Sequence, residues 1–337
     1  MKKIVFFLFL LLVLINLNAE TVIPSGNVSG VWSISGSPYL IDGDIAIPAD
    51  STLTIDPGVI VEFQDLYIFD IQGTLKAEGT VNDSIFFTVP DSLQVTGWLG
   101  INFIGEETSR DSSKMVYCDI QYINKIEPRR FITSFDGSIN IKYYTALLID
   151  HCYICNNKSN DGGAIFIEDS DPIISNCEIS NNYAFIEGGA IKIYNDSAPE
   201  ISNNSICYNI SEGKGGAIKI GCGNPSPLIQ NNVINHNTAL DGGGLLIGGN
   251  EEGGEKNRSN TTLINNFICY NTASERNGGG IKCAGFSHTT MIGNVICNNI
   301  ASTSGGGVQI AYYAAGEMIN NTIADNEAMD GGGIAVG

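Results

Sequence analysis

GGAIFI (Gly162–Ile167), GGAIKI (Gly188–Ile193) and GGAIKI again (Gly215–Ile220) begin a series that decides the fold. It continues as GGLLI (Gly243–Ile247), GGIKC (Gly279–Cys283), GGVQI (Gly306–Ile310) and GGIAV (Gly332–Val336). Measured at Gly163, Gly189, Gly216, Gly243, Gly279, Gly306 and Gly332, the intervals are 26, 27, 27, 36, 27 and 26 residues. A fixed period of this size marks a solenoid. Within each copy apolar residues alternate with another type, as Ile165 and Ile167 do around Phe166, so the strand is expected to bury one face. Short strands between Gly- and Asn-rich turns leave no space for a helix in a 27-residue unit. Each unit returns in the same direction, so stacked copies must pair in parallel. The expected fold is all-β: a right-handed parallel β-helix advancing about 4.8 Å per coil.

A second marker keeps step with the first. Ile-x-x-Asn recurs at Ile154/Asn157, Ile179/Asn182, Ile206/Asn209, Ile234/Asn237, Ile268/Asn271, Ile296/Asn299 and Ile323/Asn326. Asn tolerates left-handed turns, and like Asn side chains one coil apart can bond into a ladder. Asn237 is therefore expected to be buried and bonded to Asn209 or Asn271. Further Asn residues stand six positions earlier, at Asn176, Asn203, Asn231, Asn265 and Asn320. Less regular alternation upstream (Ile45, Ile47, Leu53, Ile55, Val59, Val61, Phe63) predicts earlier coils of the same kind. The organisation expected is one continuous solenoid, with a cap over 20–40, irregular coils over 41–150 and regular repeats over 151–337. Two insertions should leave it as loops: Asn124 to Gly137 with Arg129 and Arg130, and Gly248 to Asn260 with Glu251, Glu252 and Glu255. The final coil carries no atypical cap, which predicts further coils after Gly337.

Residues 1–19 read as a secretory signal peptide. Lys2 and Lys3 precede an apolar run from Ile4 to Leu17, and Leu17-Asn18-Ala19 forms a cleavage site. About 14 apolar residues fall short of the ~20 that span a bilayer. The mature chain is expected to be secreted or on the outer cell surface, with no transmembrane segment. The formal charge is −19, from 17 basic and 36 acidic residues, which argues against nucleic acid as a partner.

Nine Cys residues fall largely into columns: Cys118, Cys152 and Cys177 in one, Cys155, Cys207, Cys269 and Cys297 in another. They read as small, soft wall residues. In an oxidising compartment Cys152/Cys177 or Cys269/Cys297 are also within bridging reach. His151, His236 and His288 show no zinc-ligand spacing with them, and no metal or other cofactor is expected.

Two sets of residues are candidates for chemistry. Asp161 and Glu187 each precede a Gly pair in consecutive coils, about 5 Å apart on stacking, a separation that suits a retaining glycosidase. Stacking alone also produces such pairs, so no catalytic residue is assigned. The second set is the row of the Gly-Gly strands that alternates with the buried residues: Phe166, Lys192, Lys219, Leu246, Lys282, Gln309 and Ala335. Read as facing solvent, Lys192, Lys219, Lys282 and Gln309 form a candidate surface for an acidic glycan. The plainer role for those lysines is to keep an exposed strand soluble.

The GGAI copies at Gly162, Gly188 and Gly215, with Ile-x-x-Asn in place of Phe-x-x-Asn, resemble the repeats of chlamydial polymorphic outer-membrane proteins. Leu53-Thr-Ile55-Asp-Pro57-Gly58 and Gly73-Thr-Leu75-Lys-Ala77-Glu-Gly79 resemble the opening coils of large exported bacterial β-helix proteins. The resemblance implies an exported adhesin or a structural, glycan-binding module. The same coil type resembles pectate lyases and polygalacturonases, which implies, as the alternative, a lyase or hydrolase acting on acidic polysaccharide. The polygalacturonase segments Asn-Thr-Asp, Asp-Asp, Gly-His-Gly and Arg-Ile-Lys do not occur in this chain. Asp150-His151 echoes a lyase segment, but His151 stands in the column of Asn176, Asn203 and Asn231, which implies a turn.

Overall fold

The computed structural model describes residues 20–105, 112–126, 137–248 and 258–337. The leader at 1–19 and the loop residues Arg129, Arg130, Glu251, Glu252 and Glu255 lie outside the described residues. The described chain is a right-handed parallel β-helix, as the periodicity requires. One regular coil runs through Ile165–Glu168, Ile173–Ser175, Glu178–Ser180 and Tyr183–Glu187 before the next begins at Ile191–Tyr194. Each of these stretches pairs in parallel with its counterpart one coil on: Ile165↔Ile191, Ile174↔Ile201, Ile179↔Ile206 and Tyr183↔Ile210. Four ladders therefore run along the axis, here named by position in the coil: the Gly-Gly ladder, the second, the third and the fourth. The earlier half obeys the same rule, from Thr21–Asn27 on Tyr39–Ile47 onward.

The core is a set of stacked apolar columns. Ile154, Ile179, Ile206, Ile234, Ile268 and Ile296 form one, and Ile174, Ile201, Ile229, Leu263 and Met291 another, all fully buried. Each such side chain contributes roughly 1.5–3 kcal/mol on burial.

The corners explain the Asn and Gly. The residue two positions before each of these third-ladder strands sits one place ahead of a buried column and is left-handed: His151 at φ +52°, Asn176 +54°, Asn203 +59°, Asn231 +56°, Asn265 +53°. His151 is thus a turn residue, as its column implied. Asn237 is fully buried and behaves as expected. Its Nδ2 donates to Asn271 Oδ1 at 3.0 Å and to the Ile206 carbonyl at 2.9 Å, while its own Oδ1 accepts from Asn209 Nδ2 at 3.0 Å. A second buried stack, not read from the sequence, lies one residue after the left-handed Asn column. Asn204, Asn232, Asn266, Asn294 and Asn321 bond one to the next in the same way. Cys177 occupies that column one coil earlier, its N–H donating to Asn204 Oδ1 at 2.8 Å.

The two glycines of a pair do different work. Gly162, Gly188 and Gly215 have φ of +55°, +69° and +69°, a region that disfavours any Cβ. At Gly163, Gly189 and Gly216 the obstacle is the neighbouring coil: a Cβ there would meet the next coil's Gly carbonyl oxygen at 2.0–2.1 Å.

Candidate functional site

The left-handed first glycine folds the chain back so sharply that the residue before it lies against the outer side of the strand after it. Two columns therefore face one another. One is Asp161, Glu187, Lys214 and Asp241, from the ends of the fourth ladder. The other is the row of the Gly-Gly ladder: Asn140, Phe166, Lys192, Lys219, Leu246, Lys282 and Gln309, in unbroken register.

The expectation that this row faces solvent is corrected here. Lys192 is 2 % exposed and Lys219 3 %, Phe166 and Gln309 are buried, and Lys282 and the terminal Ala335 are partly open. Alternation does place these side chains outside the core, but the opposing column covers them, so both faces of the strand are dry at Phe166, Lys192 and Lys219. The row expected to offer cations to a glycan spends them internally.

Lys192 Nζ lies 2.7 Å from Asp161 Oδ1 and 3.1 Å from Glu187 Oε2. Lys214 Nζ approaches Glu187 Oε1 at 3.5 Å, and the Lys192 amine sits 6.0 Å from the Tyr194 ring. Burial pushes the Glu187 carboxyl up, but Lys219, Lys192 and Lys214 outweigh it and hold the group below the ordinary carboxylate range. Asp161 and Glu187 are Cα partners in adjacent coils, so the anticipated carboxylate pair does stack. An ammonium bridges it, however, where a glycosidase would need a sugar between the two acids.

Farther along, Lys219 makes no such pair. Its Nζ donates to the Ile220 and Gly248 carbonyls, each at 2.7 Å. Burial drives its pKa down to about 8, against an opposing pull from Glu187. Lys282 bonds Asp241 Oδ2 at 2.6 Å, and Gln309 accepts a short hydrogen bond from the Ser304 hydroxyl.

Cys269 and Cys297 form a disulfide between adjacent coils, with Cα atoms 4.7 Å apart. Of the pairings left open, this one is made, whereas Cys152 and Cys177 stay free and buried. Their thiols serve the wall, Cys152 Sγ donating to the Met115 carbonyl at 3.2 Å.

The exposed feature that sequence reading missed is an aromatic stack. Tyr208, His236 and Tyr270 stand immediately before ladder Asn residues at φ +58°, +54° and +60°. That shared conformation aims the rings alike, and they stack at 4.9 and 5.2 Å between centroids. Tyr208 is 53 % exposed and Tyr270 49 %, and exposed Val233 and Phe267 occupy the adjoining strands. Aligning the residue that precedes each Ile-x-x-Asn asparagine would have revealed this column. Among the described residues no helix is long and apolar enough to cross a membrane.

A family model described as right handed beta helix region matches residues 98–268, just over half of the chain. No curated protein and no solved structure matches it.

Proposed function

The chain belongs to the right-handed β-helix family, and from that premise we propose an exported, cell-surface or secreted adhesin or structural module that binds glycan on its outer wall. The observation that carries this reading is the exposed stack of Tyr208, His236 and Tyr270 across three consecutive coils. Aromatic rings with polar tips, held rigid on a solenoid, suit a sugar's mixed apolar and hydroxyl faces and cost little entropy to present. Export is supported by the Lys2-Lys3 leader and by the Cys269–Cys297 disulfide, a bond of oxidising compartments. The lyase or hydrolase alternative draws less support, since the stacked carboxylates are neutralised by Lys192. Lys192, Lys219 and Gln309 hold the wall on this reading, leaving Lys282 as the member of that row nearest solvent.

The test is a glycan array probed with the mature chain and with the Tyr208→Ala/Tyr270→Ala double variant, beside lyase and hydrolase assays on acidic polysaccharides. Binding by the wild type that weakens about tenfold or more in the variant, a change of ~1.4 kcal/mol, is the expected result. Turnover of a polysaccharide, or binding indifferent to both tyrosines, would replace this reading.

A further inference from the structure

We propose that Asp161 and Lys192 condense into an intramolecular isopeptide bond, with Glu187 carrying the proton. The inference stands apart from the glycan reading, because all three groups lie under the wall. Its basis is geometric. The Lys192 amine is 2.7 Å from Asp161 Oδ1, both side chains are at most 2 % exposed, and a second carboxylate sits 3.1 Å from the same nitrogen. The parallel register fixes all three, since Asp161 pairs with Glu187 and Phe166 with Lys192 across the same two coils. Reactants held in contact from folding onward need no collision, an advantage that effective molarity measures.

The step balances without an oxidant or a cofactor. A proton passes from the Lys192 ammonium to the Asp161 carboxylate, and the freed nitrogen lone pair attacks Asp161 Cγ. Glu187 accepts the second proton from nitrogen and returns it to the departing hydroxyl. The C–N bond forms, the C–OH bond breaks, and one water leaves. Glu187 suits that role: although burial pushes its carboxyl up, the surrounding lysines outweigh this and keep it ionised and ready to accept.

The molecule contains its own control. Asp241 and Lys282 repeat the acid-amine pairing at 2.6 Å. In the coil after Asp241, however, the position equivalent to Glu187 is Asn277, whose backbone N–H donates to Asp241 Oδ1. Lacking the second carboxylate, that pair should stay ionic.

The purified full chain, reduced and denatured, is weighed intact and after trypsin. The expected product is a peptide spanning Ser159–Lys214, uncleaved after Lys192 and lighter by one water. Lys282 should cleave normally. In Glu187→Gln and Lys192→Arg, with folding checked by circular dichroism and melting, peptide Ser159–Lys192 or its Arg equivalent should appear at full mass. In refolding time courses, Glu187→Gln should link roughly 100-fold more slowly, or slower still. Full-mass cleavage after Lys192 in the folded wild type overturns the proposal. So does water loss confined to Ser159–Lys192 with normal cleavage, which is a succinimide at Asp161-Gly162. Equal linking rates with and without the Glu187 carboxylate overturn its assigned role.

Discussion

Asn237 shows how much one residue does when it repeats. Its side chain satisfies a carbonyl in the preceding coil, bonds the next Asn, and accepts from the previous one. Asn237→Leu keeps the volume but strands these groups in a dry wall, at an expected cost of roughly 1–3 kcal/mol. An unchanged denaturation midpoint would mean the ladder contributes nothing net. Lys219 makes the opposite case, a charge kept where it is uncomfortable. Its folded pKa lies near 8, below the ordinary 10.5, because burial disfavours the ammonium. Between those values the unfolded chain binds more protons than the folded one, so stability rises with pH across that window. Below it the penalty is constant. Relative to Lys219→Met, the wild type should therefore gain stability from about pH 8 upward. A difference between the two proteins that stays flat over that range would show that the amine is not desolvated.

The Gly-Gly strand is the element in which sequence reading succeeded and failed side by side. Period, direction and the inward column at Ile165, Ile191 and Ile218 were legible because they depend on spacing alone. The dryness of the outer face was not legible. It depends on the first glycine's left-handed turn bringing Asp161 and Glu187 over the strand, a contact between residues five positions and a full coil apart. The second Asn stack escaped for a related reason: its early coils carry Cys152 and Cys177, which hid the column. The Tyr208 stack escaped because its members differ in type. The glycines' division of labour makes a separate prediction. Gly216 is not left-handed, so Ala is allowed by its backbone, yet a Cβ would lie 2.1 Å from the Gly243 carbonyl oxygen. Gly216→Ala should cost about 1–3 kcal/mol by forcing two coils apart. A loss of only a few tenths, the usual exposed-surface value, would show that the coils can spread.

At the scale of the whole molecule, the coils pair in register with their neighbours, Tyr144 reaching one coil farther to the Gly73 carbonyl at 2.8 Å, so stability is close to a sum of coil and interface contributions. The ladders transmit order along the axis, but among the described residues the strands within 39–78 pair with none beyond Ser113–Val116. The Cys269–Cys297 bond adds a local staple between two adjacent coils and none farther away. A lesion should therefore stay near its origin. In Gly216→Ala, hydrogen exchange should quicken in the ladder amides of the flanking coils, at Ile191, Ile218 and Leu245, whose partners share the strained interface. Amides in Leu53–Ile55 and Leu75–Ala77, stacked on one another many coils away, should keep their wild-type protection. Local opening of this kind is what a one-dimensional array of coils favours. Equal acceleration in both regions would mean that the rod unfolds as one cooperative unit, and that the stacked Asn columns couple its coils more strongly than nearest-neighbour contact allows.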